Sequence, residues 1–194
     1  MATVPQNLKH ILSVRVDTLA GLRKSLEGLT RQEVLVGVPE STTTRKEDAG
    51  VLPITNAVLA YIHDNGAPEA NIPARPFMIP GMNDAKPPVT EALFRVAKKT
   101  LFGASPLDIN KGLHRAGLEA STSIKRKIRE GIPPPLADST LRDRLRRAKG
   151  RKAEKLELEL RAAGWTPSVD FVKPLIDTAG MLNSVTYVIR PRKR

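Results

Sequence analysis

The stretch Asp108–Glu130 constrains this chain most. Leu113, Ala116, Ala120, Ile124 and Ile128 recur there at the spacing of one helix face, just ahead of Gly131. That period predicts one long helix with a single buried stripe and a glycine stop. Lys111, Arg115, Lys125, Arg126 and Arg129 populate its flanks. Ala116, Gly117 and Ala120 are small enough to let a neighbouring element approach closely.

Other segments carry weaker versions of the same signals. Leu8–Leu29 reads as helical, with Leu19, Leu22, Leu26 and Leu29 at spacings of three and four. Glu33–Val38 alternates as a strand and ends at Pro39; Val185, Tyr187 and Ile189 alternate as a second strand. Between the first strand and Pro53, the polar stretch Glu40–Gly50 predicts a long loop or an exposed hairpin that orders on assembly. A short helix is expected from Pro53 to Asn65, burying Ile54, Val58, Tyr61 and Ile62, with Gly66 as its stop. Pro73, Pro76 and Pro80 then favour extended chain that frees Phe77 and Ile79 to plug a core. A further helix from about Pro87 to Leu101 places Val89, Leu93, Val96 and Thr100 on one side.

From Asp138 to Arg161 the charge density is highest, and the pairs Leu141/Leu145 and Leu156/Leu160 predict two short helices or one broken at Gly150. Within it, Arg142, Arg144, Arg146, Arg147, Lys149, Arg151 and Lys152 fall in eleven positions, opposed only by Asp143. The run is either a solvated helix face or a contact surface for DNA or an acidic partner. Densely like-charged side chains are poor candidates for burial, so the run is expected to serve association and not folding.

A net charge of +12 over 194 residues favours an acidic partner. Only four Phe, two Tyr and one Trp are present, so contact with nucleic acid would fall on phosphates rather than on stacked bases. No apolar run approaches the roughly 20 residues that span a bilayer, and the first residues lack a secretory signal pattern.

Catalytic chemistry finds little support. There is no cysteine, and His10, His63 and His114 share no metal-ligand spacing. His63 and Asp64 are adjacent in sequence and point in different directions on a helix. The loop at 41–46 lacks the glycines of a phosphate cradle. The carboxylates Asp138, Asp143, Glu154, Glu157 and Glu159 alternate with arginine and lysine as an ion-paired helix would. Neither an enzyme nor a cofactor is expected.

Four ordered pieces carry a family resemblance. They are His63 and Gly66 with Ile72–Pro73–Ala74–Arg75–Pro76–Phe77; Pro135–Leu136–Ala137–Asp138–Ser139–Thr140; Lys173–Pro174–Leu175–Ile176–Asp177–Thr178; and Leu182–Asn183–Ser184. Together they resemble the tail-completion (neck, virion morphogenesis or minor tail) proteins of tailed bacteriophages. The family commonly has glycine directly after the Asp-Thr pair, where this chain has Ala179. A positive φ there would strain alanine, so the turn is expected to shift by one residue or to be helical. Asp177 and Thr178 are expected to cap that turn.

The predicted class is α+β: a small antiparallel sheet, including Glu33–Val38 and Ser184–Arg190, on the helices Pro87–Leu101 and Asp108–Glu130. A single domain over 1–194 would carry a basic helical insertion at about 138–170. The resemblance implies a structural virion protein, made in the host bacterial cytoplasm. It would form a ring, a hexamer or a dodecamer, that completes the tail and joins it to the DNA-filled head. Implied partners are copies of itself, connector and tail-terminator or tail-tube proteins, and non-specifically the genomic DNA, with no membrane. The alternative is a basic nucleic-acid-binding accessory protein.

Overall fold

A computed structural model describes residues 20–24, 26–40, 54–103 and 105–192. Most of the expected loop Glu40–Gly50, the start of the helix expected over Leu8–Leu29 and the last two residues of the basic tail lie outside the described residues. The fold is α+β: mostly helical, with one two-stranded antiparallel sheet. Residues 20–24 and 26–30 are helical. Then follow β1 (Gln32–Gly37), α1 (Asn56–Asn65), a 3-10 turn (Pro68–Ala70) and α2 (Met78–Leu101). The chain continues through α3 (Pro106–Glu130), α4 (Asp138–Arg147), α5 (Lys152–Ala162), α6 (Gly180–Ser184) and β2 (Thr186–Pro191).

Contacts group these residues into two compact units, with boundaries inside both strands and both long helices. The first holds residues up to Leu35, Pro87–Glu119 and Tyr187 onward. Its core is Val96 of α2 with Ile109 and Leu113 of α3, covered by Leu29, Val34 and Ile189. The small residues of α3 have a concrete use here. A Cβ on Gly117 would lie 2.3 Å from the ring of Tyr187, so only glycine admits that ring. Tyr187 Oη in turn lies 3.1 Å from His114 Nδ1.

The second unit holds Val36–Lys86 and Ala120–Thr186. Phe77, Ile124, Ile128, Leu175, Met181, Leu182 and Val185 form its core with Ala60. A smaller cluster, Leu136, Leu141 and Val172 with Leu158, lies under α4 and α5, which pack on each other. The stripe of α3 read from sequence is buried throughout, from Leu113 to Ile128.

Several expectations are corrected. Helix α2 begins at Met78, not near Pro87, and runs through Pro80, Pro87 and Pro88. Asp64 explains the early start: its Oδ1 accepts from the amides of Phe77 (2.7 Å) and Met78 (2.9 Å), groups that a helix start leaves unpaired. Helix α1 buries the opposite face from the one expected. Asn56 and Ala60 are inside, whereas Ile54, Val58 and Tyr61 are exposed, Tyr61 at 70%, and Ile62 alone of the expected stripe is half-buried. The inner face meets α6, and small residues permit that approach where a bulky stripe would not. Ile79 is likewise exposed, so of the two only Phe77 enters the core, with Met78 packed against it. In α5 the buried side chains are Glu154 and Glu157, and Leu156 is exposed.

Candidate functional site: an arginine–carboxylate cleft

The approach to the site is built by the chain from α1 to α2. Gly66 ends α1 at φ 81°, and a Cβ there would meet the backbone nitrogen of Ala74 at 2.7 Å. Glycine is required on both counts. Ala67 and Ile72 then bond to each other antiparallel around the 3-10 turn, and the Arg75 amide donates to His63 O at 2.8 Å. The arm is therefore fixed to its own helix before it reaches the core. Pro73 and Pro76 are exposed along it, whereas Arg75 and Phe77 point inward.

Arg75 is buried, and its guanidinium donates to Pro134 O from Nε (3.0 Å) and Nη2 (2.8 Å), and more weakly to Pro135 O. Burial, and then the neighbouring charge of Arg144, lower its pKa from the ordinary arginine value. Arg144 of α4 is only 4% exposed. It donates to Ile176 O at 2.9 Å and Pro174 O at 2.8 Å, and its Nε stands 3.7 Å from Asp177 Oδ1. The same carboxylate receives Arg147 at 3.1 Å and Arg151 at 2.7 Å, and Arg151 also holds Glu154 at 2.8 Å. Burial pushes the Asp177 carboxyl up, but Arg144, Arg147 and Arg151 outweigh it and hold the carboxyl below its usual range.

These groups open onto a cleft of about 250 Å³. Its walls include His63, Arg75, Leu136, Thr140, Pro174, Leu175, Asp177 and Thr178. Three of the four motif pieces, far apart in sequence, thus contribute to one place. Leu182 and Ser184 do not line it; they are buried in α6 beneath, with Ser184 Oγ donating to Met181 O.

Two sequence expectations fail here. Asp177 and Thr178 make no side-chain cap on α6; Asp177 collects arginines instead. The turn does not shift to avoid strain either, because Ala179 adopts φ 59°, ψ 4° in the left-handed region. The basic run also divides. Arg144, exposed Arg147 and half-buried Arg151 pair with Asp177, and the burial of Arg144 corrects the expectation that the run stays out of the fold's interior. Arg142, Arg146, Lys149 and Lys152 remain exposed, Arg146 pairing only with Asp143 on its own helix. Arg144 lies within the basic run and Asp177 within the Lys173–Thr178 piece, and their pairing across 30-odd residues leaves no local signal.

A second ion cluster ties α5 to the chain on either side. Arg161 bonds Glu157 (2.8 Å), Asp138 (2.6 Å) and Leu136 O (2.8 Å), and Glu157 accepts from the Ser168 amide at 3.1 Å. Among the described residues no group of three or more His, Asp or Glu side chains is arranged to hold a metal ion. The chain matches no family model, no curated protein and no solved structure.

Proposed function

We propose that this chain is a structural subunit of the head–tail junction of a tailed bacteriophage, a tail-completion or neck protein that acts as a ring. The observation that carries the reading is the convergence of three of the four motif pieces, through His63 and Arg75, Leu136 and Thr140, and Pro174–Thr178, on the cleft around Asp177. Residues with no shared local role in sequence serve one architectural purpose, and their donors are used on carbonyls and carboxylates of the same chain. Such a device rigidifies a subunit, as a component repeated around a channel needs. Exposed apolar side chains support association: Val58 and Tyr61 on α1, Ile79 and Phe94 on α2, Leu118 on α3.

Electron microscopy of the purified protein tests the reading. Closed rings of fixed stoichiometry are the expected outcome, and phage lacking the protein should accumulate filled heads beside unattached tails. Monomers that shift on DNA without forming rings would replace this reading with that of a nucleic-acid-binding accessory protein.

A further inference from the structure

The charges around Asp177 do not balance. Four guanidiniums, those of Arg75, Arg144, Arg147 and Arg151, are gathered with two carboxylates, Asp177 and Glu154. An excess of cations is costly where water is partly excluded, and burial already disfavours the charged form of Arg75 and Arg144. Donors also remain. Among the described residues, Arg75 uses Nε and Nη2, and Arg147 uses Nη1 and Nε, which leaves Arg75 Nη1 and Arg147 Nη2 without a hydrogen bond. Both side chains line the same cleft, beside the hydroxyl-bearing residues Thr140 and Thr178.

We propose that this cleft is a binding site for a carboxylate inserted by a protein partner, an Asp or Glu side chain or a chain terminus. The planar guanidinium is suited to a carboxylate, and an incoming anion would supply the missing counter-charge. Size and depth select the source. A cleft of about 250 Å³ admits a single side chain. Duplex DNA carries its phosphates on a convex surface and cannot bring one to Arg75, which is 5% exposed. The inference does not depend on ring formation, because one isolated chain contains the whole cleft.

The test is calorimetric titration of the full chain with N-acetylglutamate amide and with succinate, against sodium chloride at matched ionic strength. Saturable binding with a rise in Tm is expected for the carboxylates and not for chloride. Arg147→Gln should weaken that binding about tenfold, the loss of one charge-assisted hydrogen bond. Arg146→Gln, outside the cleft, should leave it unchanged, and circular dichroism should show both variants folded. Arg75→Lys, which keeps the charge and loses the fork, gives a second reading and should also weaken binding. A chloride effect of equal size would overturn the proposal. So would equal weakening by Arg146→Gln, or displacement of the carboxylate by a short DNA duplex in the wild type but not in Arg147→Gln.

Discussion

Helix α3 and the pair α4–α5 bury their inner faces by opposite means. Along α3 the inner positions include Leu113, Ala116, Ala120, Ile124 and Ile128, with Ser121 and Ser123 as its buried polar groups and no buried charge. In α4–α5 the inner positions include Arg144, Glu154 and Glu157 beside Leu141, so guanidiniums and carboxylates form part of the core. The helical period is the same in both. What differs is whether the partner surface offers carbon or carbonyl oxygen. At Pro134, Pro135, Pro174 and Ile176 the chain presents carbonyls in irregular backbone, which no helix or sheet would satisfy, and Arg75 and Arg144 satisfy them. A high charge density is therefore no guide to exposure when nearby chain is rich in proline.

The comparison can be broken most directly at its two centres. Arg144→Ala should cost about 3–5 kcal/mol, because Asp177 and two carbonyls lose a buried partner. Ile124→Ala should cost about 2–5 kcal/mol by leaving a cavity. Chemical denaturation reads both. A loss at Arg144 no larger than that at exposed Arg142 would show that α4 is held by its leucines alone.

Acid should separate the regions next. The depressed Asp177 carboxyl adds stability that is complete above the unfolded carboxylate pKa of about 4 and is lost as pH falls through its lower folded value. Asp177→Asn should lose about 1–3 kcal/mol at neutral pH. It should also flatten the stability profile below pH of about 4, where the wild type declines. Identical acid limbs for the two proteins would remove Asp177 from the account. Ile124→Ala, by contrast, should shift the whole profile without changing its shape.

Ala179→Gly should act in the other direction. Relief of the left-handed alanine is expected to raise stability by about 1 kcal/mol, reduced by the greater freedom of glycine in the unfolded chain. A fall in melting temperature would mean that the alanine methyl packs usefully at the mouth of the cleft. The smallest effects belong to the outward residues of the basic run: Arg142→Gln, Arg146→Gln and Lys149→Gln should each stay within about 0.5 kcal/mol. A larger loss at any of them would extend the ion-pair network beyond Arg144, Arg147 and Arg151.

Legibility in the sequence followed this same division. The stripe of α3, both strands, the break at Gly150 and the burial of Phe77 were readable because each rests on local spacing or local backbone preference. The inner face of α1 was misread because hydrophobicity favours Ile54, Val58 and Tyr61, whereas contact with α6 selects the small side of the helix. The start of α2 was missed because its cap comes from Asp64, thirteen residues before Phe77. Three of the four motif pieces carry residues that line the cleft. Its geometry was not readable, since Arg75 meets Pro134 at a separation of 59 residues and Arg144 meets Pro174 at 30.

Those separations also set a timetable for synthesis. As the chain leaves the ribosome, Arg75 emerges long before the Pro134 carbonyl, and Arg144 before Asp177, so each guanidinium stays hydrated until its partner arrives. The unit around Asp177 cannot close until the segment carrying that residue has emerged, which places its folding late and makes it all-or-none with respect to chain length. Stalled nascent chains that end before Pro174 should remain protease-sensitive from α4 onward, and chains that extend beyond β2 should become resistant in one step.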